Sequence, residues 1–236
     1  MPVPVKKSES FPKTAKERVF SEMREWIIDG TLKPGEKIFD KEIAEYFAVS
    51  RTPVREAFQM LEEQKLITVE PGRESRVAEI DPDSIRQSYE ILASLESVAV
   101  RYAVGHETES DITDLRNSVD HLKKAIQAGD VRTANESDHR FHERILKMSG
   151  NDFLLRFCSI LETHIARTEI FFFSKQDVSE VLPASVKEHE EIIEAILAKD
   201  AETASQRMAD NWLNTIPCIE KYLSTLKNDP AELMQK

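Results

Sequence analysis

Two groups of residues in this chain have the types and spacing for chemistry. In SDHRFHERI, Asp138 and His142 stand four apart, so on a helix they project from one face and could offer a carboxylate oxygen and an imidazole nitrogen to one metal ion. A DxxxH pair also occurs as a capped or salt-bridged surface feature, and that reading stays open on spacing alone. Glu143 or Glu188 beside such an ion could activate water, which would make a metal-dependent hydrolase. No HExxH or other catalytic motif accompanies them. The second group lies in VSRTPVREA, where Arg51, Thr52 and Arg55 crowd the start of a helical pattern. Guanidinium forks match O6 and N7 of guanine, and Ser50 or Thr52 can reach a phosphate. Lys41, at the head of the preceding segment, is placed to touch the nucleic-acid backbone. Charge alone fits equally well two solvated arginines paired with Glu56 or Glu62.

These residues need elements to position them. Val19, Phe20, Met23, Trp26 and Ile27 recur at helical spacing, with Thr14 as N-cap and Gly30 past the end. After the Pro34-Gly35 turn, Asp40 is expected to cap a short helix carrying Ile43, Ala44 and Phe47. A third helix follows the tight AVS turn, capped by Ser50 or Thr52, with Pro53 tolerated in its first turn. Ile67 to Val69 and Arg76 to Ala78, separated by Pro71-Gly72, read as a small hairpin. Three helices closed by a hairpin describe a winged helix-turn-helix. Long helical patterns then cover roughly 83–104, 109–128, 131–149, 152–174, 184–199 and 201–225, broken at Gly105, Gly129-Asp130, Gly150-Asn151, Pro183 and Lys199-Asp200.

The expected fold class is mainly α: an N-terminal winged helix-turn-helix and a C-terminal all-α bundle. The domains are a flexible leader (1–13), the DNA-binding domain (14–78), a linker (79–83), a helical sensing and dimerisation domain (84–227) and a tail (228–236). With 236 residues, 40% of them apolar, both domains can bury a core. The first ten residues carry no apolar run suggesting a signal peptide or anchor, and no segment reads as membrane-spanning. Two distant cysteines argue against a disulfide scaffold, so a reducing cytoplasm is expected. The net charge of −11 is unevenly spread, with 14 Lys and Arg against 14 Asp and Glu in residues 1–78, and 18 against 29 in the rest. The acidic excess is C-terminal, leaving the neutral first part able to present a basic face to phosphates.

From Val19 to Leu66 the sequence resembles the GntR family of bacterial regulators, through DGTLKPGEKI and KEIAEYFAVSRTPVREAFQMLE. The remainder resembles the FCD ligand-binding domain of one branch of that family, through YEILASLESVAVRYA, SDHRFHERILKMSGNDFLL and KEHEEIIEAILAKDAETASQRMADNW. The resemblance implies a transcription regulator and not an enzyme, a repressor acting on an operator with two-fold symmetry, a homodimer and a small-molecule effector that alters DNA affinity. Lys41, Ser50, Arg51, Thr52 and Arg55 would face DNA, with Arg73 and Arg76 of the wing. Where the family carries a glycine at the wing tip, this chain has Glu74, two residues after Gly72.

The resemblance further implies an Asp plus three His metal site whose members here are Asp138, His142 and His189, holding a divalent ion, with zinc the first choice. The family's fourth ligand falls on Asn211, whose carbonyl is a weaker donor than imidazole; water or a bound carboxylate could complete the shell. His139 and His164 are alternatives, though His139 is turned about 100° from Asp138 on an ideal helix. Many relatives carry an arginine four residues before the glutamate matching Glu96, where this chain has Leu92. Arg101, Arg144, His164 and Arg167 are then the candidates for contacting an effector, with a carboxylate as the leading class. The linker would transmit the change between domains. A scaffold whose helices serve only dimerisation is the remaining alternative.

Overall fold

The computed structural model describes residues 14–69, 74–173 and 181–228. The leader 1–13, the hairpin tip with Gly72 and Arg73, the tail from 229 and the side chains of Phe171, Phe172 and Phe173 lie outside what it describes. The chain divides into two compact units, residues 1–79 and 80–236.

The first unit contains α1 (Ala15–Ile28), β1 (Lys37–Ile38), α2 (Asp40–Phe47), α3 (Arg51–Glu63), β2 (Ile67–Val69) and β3 (Ser75–Val77). Thr14 and Glu17 form a reciprocal capping box that starts α1. Val19, Met23 and Ile27 then align on one face and pack against Val54, Phe58 and Leu61 of α3 and against Leu66, Ile67 and Val77. The hairpin pairs Ile67 with Val77 and Val69 with Ser75, and β1 adds to the other edge of β3. That third strand is not anticipated from sequence, because two residues carry no detectable alternation.

One cap assignment changes. Phe39 is the N-cap of α2 and makes no side-chain cap bond; Asp40 is the first helical residue, and its carboxylate turns to arginines of α3. Ser50 does occupy the N-cap of α3, again with no side-chain cap bond. The turn between α2 and α3 is made by Ala48 in the left-handed region, φ 52° and ψ 45°. An L-residue pays ~1–2 kcal/mol there, whereas glycine loses ~0.5–1 kcal/mol of chain entropy on folding. Ala48 is exposed, so its methyl contributes no core packing. Ala48→Gly should therefore stabilise the first unit by ~0.5–1 kcal/mol, read as a higher urea midpoint at unchanged slope.

Among the described residues the second unit is built from α4 (Pro82–Ala103), α5 (Glu109–Ala128), α6 (Val131–Met148), α7 (Asp152–Phe173), α8 (Val181–Leu197) and α9 (Ala201–Asn228). Asp81 caps α4 with Pro82 in its first turn, and Thr108 with Asp111 forms a second capping box at α5. Gly129 ends α5 in the left-handed conformation, and Asp130 caps α6. Pro183 does not stop a helix as expected: it lies within α8, which is described from Val181. α4 runs against α9, α7 and α6, and α8 packs on α9 and α5. The apolar stripe Ile85, Tyr89, Leu92, Ala93, Ala99, Val100 and Ala103 points α4 into this core, and a fully buried glutamate, Glu96, interrupts it.

Candidate DNA interface and metal centre

α3 is short, amphipathic and held from beneath by Val54, Ala57, Phe58 and Leu61, so its first turn stands clear of the core with Arg51, Thr52 and Arg55 exposed. Arg51 and Arg55 are one helical turn apart, and both reach back across the turn to α2. Arg51 Nη2 donates to both oxygens of Asp40 at 2.6 and 2.8 Å, and Arg55 Nε donates to Oδ2 at 2.8 Å. Burial pushes the Asp40 carboxyl up, but the hydrogen bonds and charges of the two arginines outweigh it and hold the group below the usual carboxylate range. The partner is thus neither Glu56 nor Glu62; Glu62 accepts instead from the backbone of Val69 at 3.1 Å.

Ser50 is exposed beside Arg51, and Lys41 is exposed on α2 with Glu45 3.8 Å away. On the wing, Arg76 donates to Glu74 at 2.7 Å and to the Gly35 carbonyl at 3.2 Å, while Glu74 also accepts from Lys37 at 2.7 Å. The hydrogen bond from Lys37 and the charge of Arg76 keep the Glu74 carboxyl below its ordinary range. Arg73 lies outside the described residues.

In the second unit α6 carries Asp138 and His142 on its inward face and α8 brings His189 to meet them. The Nε2 atoms of His142 and His189 are 3.3 Å apart. Asp138 Oδ2 lies 3.8 Å from His142 Nε2, and Oδ1 lies 3.5 Å from His189 Nε2. Ligand atoms around a tetrahedral ion with metal–nitrogen bonds of ~2.0–2.1 Å are ~3.3–3.4 Å apart, so the two imidazole nitrogens already have that spacing and Asp138 brings one oxygen near each, a group able to hold a metal ion. Both imidazoles are buried, whereas the Asp138 side chain is 22% exposed.

The surrounding contacts favour coordination. His142 Nδ1 hydrogen-bonds Glu96 Oε2 at 2.6 Å, which fixes the ring with Nε2 toward Asp138 and His189 in the carboxylate–histidine arrangement that supports bound metals. Phe141 stacks on His189 at 3.9 Å and Trp212 covers His142 at 4.5 Å. Ser185 donates to Asp138 Oδ1 at 3.0 Å. Burial lowers the His189 pKa to about 4, and the neighbouring His142 adds to this against the pull of Asp138, so His189 is neutral and able to donate a lone pair. Burial works against the charged form of Asp138, but His189, His142 and His139 leave its carboxyl below the ordinary value. Asn211, on α9, hydrogen-bonds His189 through its side chain, which favours the protonated ring, and gives its Nδ2 to Glu188 Oε2 at 2.8 Å.

His139, weighed as an alternative ligand, turns the other way. Its Nε2 lies 3.3 Å from Glu169 Oε2, and Tyr89 donates to Glu169 Oε1 at 3.1 Å. Burial opposes protonation of His139, but Glu169 overcomes it and raises the pKa to about 9. A histidine raised in the folded state stabilises fully below its unfolded value of ~6.5 and loses that contribution as pH rises through about 9. Metal-free protein should accordingly lose stability between pH ~6.5 and 9, and His139→Gln should flatten the profile by roughly 1–2 kcal/mol, the ring's partial access to solvent keeping it below full linkage. Urea titrations across that range measure the difference.

The effector candidates separate. Arg101 is an exposed partner of Glu202 at 2.7 Å, and Arg144 joins Asp111 at 2.6 Å and Asp114 at 3.1 Å. Both guanidiniums are thus paired with carboxylates of this chain. His164 is half-buried on α7 and Arg167 is buried one turn on. Two acids near these histidines were not singled out from the sequence: Glu96, and Glu162, whose carboxyl is raised to about 7 by burial and by the charge of Glu96. A single acid inside the apolar stripe of α4 was the available signal for Glu96.

A helix-turn-helix with arginines at the head of its second helix, joined to a helical unit with a buried polar centre, defines a DNA-binding transcription regulator. Residues 15–77 match the bacterial regulatory proteins of the gntR family, and residues 87–212, over half of the chain, match the FCD domain. The chain belongs to the GntR family, in the branch carrying an FCD domain, whose members are regulators and not enzymes. It is 27% identical over 190 residues to the uncharacterized HTH-type transcriptional regulator YdhC of Bacillus subtilis, covering 80% of this chain and 84% of that one. It is 28% identical over 207 residues to the HTH-type transcriptional repressor GlaR of Escherichia coli, covering 84% and 92%. The E. coli McbR/YncC structure shares the fold, with TM-score 0.77 and 23% identity over 90% of this chain and all (100%) of that one. No helix among the described residues is long and apolar enough to cross a membrane.

Proposed function

We propose that this chain is a metabolite-responsive repressor that acts in the cytoplasm as a homodimer on a two-fold symmetric operator, its affinity set by an effector bound beside a divalent ion. The observation that carries this reading is the trio of Asp138, His142 and His189 at 3.3–3.8 Å, enclosed in a unit joined to a DNA-reading module. These three would hold the ion, with zinc suited to two imidazoles and a carboxylate. Three protein ligands leave a position open, and Asn211, water or a carboxylate oxygen of the effector can fill it. Arg167 and His164 on α7 are the groups proposed to meet the rest of the effector.

The repressor named GlaR supports the direction of regulation. A single helix-turn-helix covers only a few base pairs, which favours two copies on one operator. Ile91, Val98 and Tyr102 lie exposed along α4, and Phe153 and Phe157 stack exposed on α7, apolar surface suited to a second copy. The test begins with wild-type protein selecting a duplex from a random library. Sedimentation should then show a dimer, footprints should be symmetric, and a screen of carboxylates by thermal shift on metal-loaded protein should find a stabiliser. That compound should change operator affinity ~5- to 150-fold, the range for a coupling of ~1–3 kcal/mol. One that binds free and operator-bound protein equally is not the regulatory ligand, because a ligand moves an equilibrium only through unequal affinity for its states.

A further inference from the structure

We infer that Asp40 is a specificity-determining positioning residue, acting on DNA through the two arginines it holds. The recognition helix starts with like charges one turn apart, and side chains as long as arginine otherwise sample many rotamers. Asp40 sits at the first turn of α2, where the helix dipole favours a carboxylate, and is the shared acceptor of both guanidiniums. Its side chain is 19% exposed against 55% for Arg51 and 64% for Arg55, so the acid lies underneath and the forks outside.

The way each arginine is held matters. Arg55 is taken by Nε, which leaves both terminal nitrogens free, a pair able to span O6 and N7 of one guanine. Arg51 is taken by Nη2, leaving Nε and Nη1. The trio carries a net charge of +1 where two unaccompanied arginines would carry +2. Asp40 thus lowers the sequence-independent attraction to phosphates while aligning the donors that distinguish bases. Both effects widen the ratio between operator and random DNA, which is the quantity that decides occupancy among many competing sites.

This inference rests on the operator-binding reading and has a separate outcome from it. The probes are the duplex selected by wild-type protein and a shuffled duplex of the same composition, each titrated over a range of salt. Asp40→Asn should bind the shuffled duplex several-fold more tightly, with a salt slope steeper by about one per subunit, and hold the selected duplex no better than wild type. The ratio of the two affinities should fall about tenfold. Asp40→Ser, also neutral and suited to a helix start, gives the same measurement if the asparagine variant melts below assay temperature. A merely structural role would lower melting temperature and weaken both duplexes alike, and equal changes on both overturn the inference. A wild-type protein that enriches no sequence overturns the operator reading along with it.

Discussion

His142→Ala should remove the bound ion and, separately, cost the metal-free protein ~3–5 kcal/mol. The first loss follows from coordination, since His142 shares the centre of the donor set with His189 at 3.3 Å. Metal content of protein prepared without chelator or affinity tag should fall from about one ion per chain to none. The second loss comes from Glu96, which is fully buried and has one oxygen on His142 Nδ1 at 2.6 Å. Taking away that partner strands a charge in the core, the costly half of a buried pair. Adding Glu96→Gln to His142→Ala should therefore recover part of the stability and none of the metal. Asp138→Asn separates the effects in the other direction, because Asp138 retains access to solvent: ion affinity should drop with little change in the urea midpoint. Asn211→His, restoring imidazole at the family's fourth position, should tighten the ion. If metal persists in His142→Ala, the ion is held elsewhere.

The parts of this architecture that were legible in sequence are those fixed by local chemistry. Capping residues, glycines past helix ends and apolar stripes all act within a few residues of themselves, so the helices of both units could be placed to within a few positions. Asp138 and His142 could be paired for the same reason, both lying on one turn of α6. Contacts between distant segments were not legible. Asp40 has the local look of a cap, yet its partners are 11 and 15 residues downstream and become partners only when α2 and α3 pack. The two-residue β1 exists only because β3 offers it an edge.

The interior of the second unit shows the same division. Helical geometry alone turned His139 away from the Asp138 side, and the structure supplies the destination, Glu169 bonded also by Tyr89 of α4. Nothing local revealed that Arg101 pairs with Glu202, or Arg144 with Asp111 and Asp114. Glu96 is the instructive case, since a lone acid on an apolar face has either a partner or a shifted charge state. Its partner, His142, lies 46 residues away on another helix.

Arg55→Ala should produce the largest change in operator affinity of any single exposed substitution. An arginine that spans guanine O6 and N7 contributes ~1–3 kcal/mol of discrimination, and in a homodimer each substitution is made twice, so the loss on a symmetric operator is ~2–6 kcal/mol. Since ~1.4 kcal/mol is a factor of ten, affinity should fall by ~30-fold or more. Arg51→Ala should fall in the same range but toward its lower end, because Asp40 engages Arg51 through both carboxylate oxygens and leaves fewer of its donors outward. Lys41→Ala offers the contrast. A lysine against phosphate should weaken selected and shuffled duplexes about equally and reduce the salt slope by about one per site, with no change in which sequence is preferred. Folding is not at risk in the arginine variants, as both side chains are over half exposed and the core face of α3 is made by other residues. Footprints unchanged in both Arg51→Ala and Arg55→Ala would remove α3 as the reading helix, whatever the second unit binds.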